Sequence, residues 1–476
     1  MRVKVPMAVG ALAVGVGFFA LWAVGESSKA ERMAAPACSV ACSDSPTDVA
    51  LRSGAVDARV AIQEVLDASI PGVTVSLPPG EFTISGPVSV PDGVSLTGAG
   101  AAATMITARA EWRWAFRYGF LITADQRDGT TSAGATVRDL TLNGGFTEPQ
   151  AEDEHVVGGV KVGNGWSVRR VNFSDLGYFK VWIYSVSGVS VSGCEFDDSR
   201  VGISSGHDNI GGGDATDIEL RNNRFLAGAN GNAIDLVRAA GIKIAGNEVA
   251  GTAEQSRSIY LEGVRDAEVS GNVLNHGSIA VQSNADYADH PEVINPAGVA
   301  VVGNTVTEAP AQAISVRYDA PRAGQPMTVE SGAVGGGNVV AGNRTENSGV
   351  AGILIIAAEP GLAATADEVS GNTVADAFTR GVSEWNCGYG FTAAAGIVVG
   401  AAEGTSVVDN LVTGTTEGRP RYGVQVGIRN TRGVTAEVTD VESTKIAGRV
   451  ERAPGIHPQL AEGGRCQRLA RMGVRA

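Results

Sequence analysis

The stretch AEVSGNVLNHGSIAVQS, residues 267–283, decides the fold because the tetrapeptide at its centre recurs along the chain. Ten related phrases are present, most of them ending in Asn, and their fourth positions are separated by 23 to 39 residues. A repeat of about this period is typical of a solenoid. The copies are VRDL 137–140, VRRV 168–171, VSGC 191–194, LRNN 220–223, IAGN 244–247, VSGN 269–272, VVGN 301–304, VAGN 340–343, VSGN 369–372 and VVDN 407–410.

Each repeat contains several short strands and no helical period. Two residues after most phrases stands an apolar residue such as Phe196 or Leu274, and some ten residues later comes a short alternating strand such as AIDL or SIYL. Three strands per repeat indicate an all-β parallel β-helix.

The recurring Asn has a physical role at a tight bend between two strands. Asn tolerates the left-handed conformation, and its amide can bond to the same Asn in the next coil. The sequence therefore predicts an Asn ladder. Cys194 stands in the same slot, which favours a small buried residue over a reactive thiol.

Upstream of the repeats, residues 57–69 place Ile62, Val65, Leu66 and Ser69 on one helical face, which predicts a helix that caps the first coil. The segment VTVSLPPGEFTISGPVSVPDGVSLTGAG, residues 73–100, then alternates short apolar strands with turns. Gly98–Ala103 resembles a dinucleotide-binding turn, but no helix pattern follows, and no organic cofactor is predicted.

Residues 73–100 and the VxGN phrases together resemble the start and body of the pectate lyase superfamily. The resemblance implies one chain wound into a right-handed parallel β-helix of about ten or more coils. We assign residues 49–100 to the N-terminal cap and first coils, 101–445 to the β-helix and 446–476 to a C-terminal tail or cap. The superfamily includes lyases, glycosidases, epimerases, phage tailspikes and adhesins, so the resemblance predicts fold better than activity.

The N-terminal segment predicts export. A basic start and an apolar run up to Gly25 fit a signal peptide or an uncleaved membrane anchor, with residues 26–48 as a linker. The protein is therefore expected to be secreted or extracytoplasmic, and a membrane would be met only through that anchor. The net charge of −14 disfavours a nucleic-acid partner. Five widely spaced cysteines fit neither a zinc site nor a disulfide scaffold, and oligomeric state is left open.

Aligning the alternating strands gives two outward columns of side chains, with VGI at 201–203 taken as the third strand. The first column runs Lys161, Trp182, Gly202, Asp235, Tyr260, Ala280, Ser315, Leu354, Val398 and Gln425; the second runs Gly163, Tyr184, Ser204, Val237, Glu262, Gln282, Arg317, Ile356, Gly400 and Gly427. Polar and aromatic residues end at Arg317, which predicts a polysaccharide-binding groove over residues 160–320, roughly 30 Å long.

Asp235 and Glu262 lie on adjacent coils of this groove. At that offset their carboxyl groups would stand roughly 5 to 9 Å apart, which suits either an acid and base pair for glycoside cleavage or two ligands of a calcium ion. The resemblance to superfamily lyases implies calcium on the substrate carboxylate and Arg317 or Lys161 as the base. Arg238, just past the Asp235 strand, would neutralise a substrate acid or pair with Asp235.

Other candidates are a histidine and exposed aromatic rings. His207, followed by Asp208, suits proton transfer near neutral pH, with a turn-bound loop histidine as the alternative. Trp182, Tyr184 and Tyr260 would stack on sugar rings or form a cross-strand ladder, and Gln282 lies beside Tyr260 in the groove.

The function hypothesis placed first is a lyase that cleaves a uronate-containing glycan by β-elimination. The alternatives are a glycoside hydrolase or transglycosidase that uses Asp235 and Glu262 directly, a C5-epimerase, and a non-catalytic glycan-binding or adhesin-type β-helix. Beyond Arg317 the outward positions become apolar, and residues 383–393, SEWNCGYGFTA, are predicted to cover them as a lid.

Overall fold

The chain folds as a parallel β-helix with a single helix among the residues that the structure describes. The structure is a computed structural model. It describes residues 57–109, 118–124, 131–145, 156–197, 208–226, 231–251, 257–284, 293–318, 335–357, 367–377, 379, 395–400, 404–414, 422–427, 445–446 and 452–453. All of these lie in one compact unit, residues 41–476.

One face of the β-helix is a parallel sheet of 13 strands, called sheet 1 here, with one strand from each coil. Its strands are Val88–Val90, Tyr118–Ala124, Val156–Lys161, Val181–Tyr184, Ile210–Gly213, Ile234–Val237, Arg257–Glu262, Gly277–Gln282, Gln312–Tyr318, Ala351–Ala357, Ala395–Gly400, Tyr422–Gly427 and Arg452–Ala453.

The other 23 strands form sheet 2, to which most coils contribute two short strands separated by the bend at the end of the repeated phrase. They are Thr74–Ser76, Gly80–Ile84, Ser95–Thr97, Thr104–Ala108, Thr136–Asn143, Ser167–Ser174, Ser190–Ser192, Glu195–Asp197, Thr216–Arg221, Arg224–Phe225, Ala240–Ala245, Glu248–Ala250, Arg265–Ser270, Val273–Asn275, Ala297–Val302, Thr305–Thr307, Val339–Ala341, Arg344–Glu346, Glu368–Ser370, Thr373–Ala375, Ser406–Val408, Leu411–Thr413 and Lys445–Ile446.

The predicted capping helix is confirmed as α1, Ala58–Asp67. The carboxylate of Asp57 accepts a hydrogen bond from the backbone N–H of Arg59 at the start of α1, which satisfies a donor that the helix leaves free. Ala58, Ile62 and Leu66 are buried, and Val65 packs partly against the same core. The helix thus covers apolar side chains of the first coil.

The core is a continuous column of inward side chains, because alternate residues of each strand point inside. Phe173, Phe196 and Phe225, each two residues after a repeated phrase, stack with centroid distances of 4.9 and 4.6 Å. Parallel stacking of identical residues from successive coils supports the coil register.

An Asn ladder runs through the bends of sheet 2, as predicted. From Asn247 onward, each ladder Oδ1 accepts hydrogen bonds of 2.8–3.0 Å from the backbone N–H and the side-chain amide of the ladder Asn one coil earlier. The ladder consists of Asn223, Asn247, Asn272, Asn304, Asn343, Asn372 and Asn410, all at most 2% exposed.

Cys194 occupies the slot before the first ladder Asn, and its backbone N–H donates to Oδ1 of Asn223 at 3.0 Å. Burial raises the pKa of its thiol to about 12, so the thiolate is disfavoured at neutral pH. The interpretation of Cys194 as a small buried residue in the ladder agrees with this environment.

The left-handed residue at each bend is the third residue of the phrase, so the expectation that Asn adopts this conformation is wrong. All ten third positions have φ between 50° and 65°. Gly is the residue that reaches this region at least cost, which explains why Gly precedes Asn in five of the seven phrases that end in Asn. The ten positions are Asp139, Arg170, Gly193, Asn222, Gly246, Gly271, Gly303, Gly342, Gly371 and Asp409.

Candidate functional site

The outer face of sheet 1 carries the two columns predicted from the sequence, with one strand corrected. Residues paired across the parallel strands form a first column of Lys161, Trp182, Gly211, Asp235, Tyr260, Ala280, Ser315, Leu354, Val398 and Gln425. The second column, two residues farther along each strand, contains Tyr184, Gly213, Val237, Glu262, Gln282, Arg317, Ile356, Gly400 and Gly427.

The correction concerns the third strand, which is Ile210–Gly213 and not residues 201–203. Gly211 therefore replaces Gly202 in the first column, and Gly213 replaces Ser204 in the second. Phe179 explains the glycine, because a Cβ at Gly211 would lie 2.2 Å from its ring. The ring takes the place that an outward side chain would occupy beside Asp235.

Asp235 lies in surroundings that favour its protonated form. Its Oδ2 accepts a hydrogen bond of 3.1 Å from the side-chain amide of Asn232. Its Oδ1 is buried and has no hydrogen-bond partner among the described residues. Burial, together with the negative charges of Asp208 and Glu262, raises the pKa of Asp235 to about 8.

Glu262, on the next coil, is surrounded by hydrogen-bond donors. Its Oε1 accepts from the amide of Gln282 at 2.9 Å, and its Oε2 accepts from the amide of Asn284 at 3.3 Å. The Gln282 amide also donates to the hydroxyl of Tyr260. Burial, with Glu262 close by, raises the pKa of Tyr260 well above its ordinary value, so the phenol stays neutral and can donate a proton in a hydrogen bond.

Three residues that hold or influence the two carboxyl groups were not predicted from the sequence: Asp208, Asn232 and Asn284. Asp208 accepts a hydrogen bond of 2.5 Å from the backbone N–H of Asn232, whose side chain in turn holds Asp235. Asn284 is fully buried and directs its amide at Glu262. Asp208 and Asn232 stand in turns or irregular segments, and Asn284 forms an isolated β-bridge with Ile294, so all three lie outside the aligned strands, where the alternation of side chains identifies outward positions.

Four aromatic rings form a cluster on the coils before Asp235, called the aromatic cluster here: Tyr178, Phe179, Trp182 and Tyr184. The ring of Trp182 lies 4.4 Å from that of Phe179 and 5.8 Å from that of Tyr184. Tyr184 is 46% exposed, which leaves an aromatic face open to a ligand. Tyr260 stands apart, on the coil after Asp235.

A cavity of about 170 Å³ lies on the coils after Glu262 and is called the Arg317 cavity here. Its lining residues are Ser278, Ala280, Gln282, Pro310, Ala311, Gln312, Ser315, Arg317 and Leu354. Arg317 is two coils beyond Glu262 in the same column, a distance of about 10 Å along the stack.

Lys161 lies away from the two carboxylates, and Arg238 is already paired with another residue. Lys161 is three coils before Asp235, about 14 Å along the stack and beyond Trp182. Arg238 was expected to pair with Asp235 or with a substrate acid, but its side chain is only 10% exposed and forms two contacts of 2.7 Å with the carboxylate of Asp214. The ion pair of Arg238 and Asp214 therefore lies at the bends that follow their two strands, where both residues have positive φ.

The role of His207 and the lid at residues 383–393 are predictions that fall outside the described residues. The apolar outward side chains that the lid was expected to cover are themselves buried, since Leu354 and Ile356 are 2% and Val398 is 3% exposed. They form a second small apolar cluster outside the main core. The signal peptide or anchor of residues 1–25 also lies outside, and no helix among the described residues is long and apolar enough to span a membrane.

The donor set around the two carboxylates does not fit a calcium ion. Calcium takes six to eight oxygen ligands. Glu262 instead faces two amide N–H donors, and within the described ranges no group of three or more His, Cys, Asp or Glu side chains is placed to hold a metal. Calcium binding by Asp235 and Glu262 stays a prediction from the sequence.

Comparisons with known proteins identify the fold. Residues 158–323, about a third of the chain, match the family model described as a right handed beta helix region. The chain has the fold of a right-handed parallel β-helix. No curated protein matches it in sequence.

Three solved structures illustrate this fold at low sequence identity. The Streptococcus pneumoniae surface protein and adhesin PfbA is 13% identical with a TM-score of 0.53, over 78% of this chain and 97% of that one. The catalytic unit of an α-1,3-glucanase from Streptomyces thermodiastaticus is 18% identical with a TM-score of 0.53, over 81% of this chain and 65% of that one, so the chain spans just under two thirds of its length.

The third structure is a tailspike protein mutant of E. coli bacteriophage HK620 in complex with a hexasaccharide. It is 14% identical with a TM-score of 0.50, over 86% of this chain and 76% of that one. At such identities the likeness establishes the fold alone, because one β-helix supports several activities.

Proposed function

We propose that the protein hydrolyses glycosidic bonds of a polysaccharide, with Asp235 as the general acid. The observation that carries the proposal is the placement of Asp235, which is held by Asn232, has a buried and unpartnered Oδ1 among the described residues, and lies one coil from a second carboxyl group, Glu262. These surroundings raise the pKa of Asp235 to about 8 and favour its protonated form at neutral pH. Glycosidases usually cleave their substrate with two carboxyl groups that lie in distinct environments. The likeness to an α-1,3-glucanase and to a tailspike bound to a hexasaccharide supports a carbohydrate ligand.

In this mechanism Asp235 donates its proton to the oxygen of the leaving sugar. Asn232 fixes the carboxyl group from one side, and the unpartnered Oδ1 faces no competing donor in the described part of the chain. The proton moves to the glycosidic oxygen as the bond to the anomeric carbon breaks. Asp235 regains a proton from the attacking water in the second step if Glu262 is the nucleophile, and from solvent after the single displacement step if Glu262 is the base.

Glu262 is the base or the nucleophile. Gln282 and Asn284 hold both of its oxygens as acceptors, so it is oriented before substrate binds. Its Cα stands one coil and two residues from that of Asp235, about 8 Å away. As a base, Glu262 would take a proton from the attacking water; as a nucleophile, it would bond to the anomeric carbon and be released by water.

The test is a polysaccharide panel read by reducing ends, with NMR to assign the anomer of the first product. Asp235→Asn and Glu262→Gln are each expected to lower turnover by about 10²- to 10⁴-fold. The matched control is Glu248→Gln, an exposed carboxylate on sheet 2, which should retain full turnover. Full turnover in both site variants would remove Asp235 and Glu262 from the mechanism.

A second candidate is the lyase reaction, in which a base removes the proton next to a uronate carboxyl group. The position of Arg317, in the Glu262 column and closer to the carboxylates than Lys161, favours it as that base. A lyase gives an unsaturated product with ultraviolet absorbance. The oxygen of its new reducing end comes from the glycosidic bond and not from water. An epimerase would change the sugar without cleavage, and a glycan-binding module, as the adhesin neighbour suggests, would bind without turnover.

A further inference from the structure

The outer face of sheet 1 has different chemistry on the two sides of Asp235 and Glu262. Between Lys161 and Asp235 the two columns contribute Trp182, Tyr184 and two glycines, with no charged side chain. The ring of Phe179 covers Gly211 and extends this apolar surface to the coil that adjoins Asp235. The aromatic cluster is therefore an uncharged platform that suits the apolar face of a sugar ring.

The opposite side is polar and carries a cation. Among the residues that the structure describes, Arg317 is the one charged residue that lines the Arg317 cavity, and Gln282, Gln312 and Ser315 add amide and hydroxyl groups. The volume of about 170 Å³ equals that of roughly six water molecules, which is enough for part of one sugar unit but not for a large ligand. Ala280 and Leu354 supply apolar contacts around the polar groups.

A carboxylate is the group that this cavity fits best. The guanidinium group of arginine matches a carboxylate with two parallel hydrogen bonds. The negative charges of Asp208 and Glu262 beside Asp235 disfavour an anion at the cleavage point itself. The cavity begins beyond these carboxylates, and Arg317 stands about 10 Å from Glu262 along the stack, about a Debye length at moderate salt. An acidic sugar is therefore accepted there and disfavoured next to Asp235.

We propose that the substrate is a heteropolysaccharide that presents a neutral sugar to the aromatic cluster and an acidic sugar to the Arg317 cavity, on opposite sides of the cleaved bond. This inference rests on the proposed function for the position of the cleaved bond. The binding preferences themselves follow from the two surfaces and do not require turnover.

The test measures binding by calorimetry in the Asp235→Asn background, where cleavage does not interfere. The probes are oligosaccharides of hyaluronan and gellan, in which uronate and uncharged sugars share one chain, and the same oligosaccharides after reduction of their carboxyl groups. Polygalacturonate supplies an all-acidic chain and laminarin a neutral one. At least one mixed chain should bind at least tenfold more tightly than its reduced form and than either homopolymer.

Two variants assign the preference to its surfaces. Arg317→Gln should weaken binding of the acidic mixed chain about tenfold and leave the reduced chain unchanged, whereas Arg344→Gln, an exposed arginine on sheet 2, should change neither. Tyr184→Ala, at an exposed ring, should weaken both forms equally. The inference is overturned if no mixed chain binds more tightly than its reduced form, or if Arg317→Gln behaves like Arg344→Gln.

The outcome separates the two proposals. Selective binding of a mixed chain that wild-type protein leaves uncleaved would support the two surfaces and contradict the proposed hydrolysis. Cleavage of a polysaccharide with a KM that Arg317→Gln does not change would support hydrolysis and contradict the acidic-sugar cavity.

Discussion

Replacing Asp235 by Asn should make the protein inactive and more stable at once. The folded state holds the proton of Asp235 up to a pKa of about 8, whereas the unfolded carboxyl group releases it near 3.8. When folding raises the pKa of a group, its contribution to the free energy of unfolding is fully present below the pKa of the unfolded state. This contribution is lost as the pH rises from the pKa of the unfolded state to that of the folded state. Asp235 therefore lowers the free energy of unfolding of the wild type progressively between pH 4 and pH 8.

The magnitude follows from the size of this window. Each pH unit in which only the unfolded carboxyl group is ionised lowers the free energy of unfolding by about 1.4 kcal/mol. Between pH 5 and pH 7 the loss is about 3 kcal/mol, and the neutral side chain of Asn does not incur it. The stability gained by Asp235→Asn over wild type should therefore be about 3 kcal/mol larger at pH 7 than at pH 5.

Guanidinium denaturation at the two pH values measures this difference, with Glu248→Gln as the exposed control that should show none. Turnover of wild type should fall as pH rises through about 8, because the general acid loses its proton. An Asp235→Asn variant with the same stability gain at pH 5 and pH 7 would refute the reasoning, since the carboxylate would then be ionised without cost in the folded protein.

Three further variants test the coils themselves. Asn272→Leu leaves the buried backbone N–H of Asn247 and the buried carbonyl of Ile244 without their side-chain partner, which should lower the free energy of unfolding by about 1 to 3 kcal/mol for each group. The control Asn275→Leu, at an exposed position, should leave the free energy of unfolding nearly unchanged in denaturation. Gly271→Ala meets no atom within 4 Å but keeps a left-handed φ of 61°, so it should lower the free energy of unfolding by about 1 to 2 kcal/mol, and a neutral result would mean that the bend relaxes. Leu354→Ala should lower the free energy of unfolding by about 2 to 5 kcal/mol; because Leu354 also lines the Arg317 cavity, it should raise KM and leave kcat unchanged, and a lowered kcat at full stability would extend the catalytic site to that coil.

The sequence predicts the fold and the outward columns because a β-helix repeats the same bend and the same alternation in every coil. The error at residues 201–203 arose because Gly211 and Gly213 have no side chains and give no alternating pattern, although their strand pairs with both neighbours. Phe179 supplies the missing side chain from another part of the chain, which no local pattern reveals.

The environment of the site was less accessible to sequence reasoning. Asp235 and Glu262 were found from their column, but Asn232 and Asn284 hold them from segments with no periodicity. The raised pKa of Asp235 depends on burial and on Asp208, 27 residues earlier in the chain, and composition carries no signal for either.

The Asn ladder has a direction, and that direction gives assembly an order. Oδ1 of Asn247 accepts the backbone N–H of Asn223, and its amide donates to the carbonyl of Leu220, so both groups of the preceding coil are completed by the later residue. On a ribosome each coil must wait for the chain to grow by one repeat before its bend is satisfied. Growth of the β-helix should therefore follow synthesis from the N-terminus, with one incomplete bend at its leading edge at any moment.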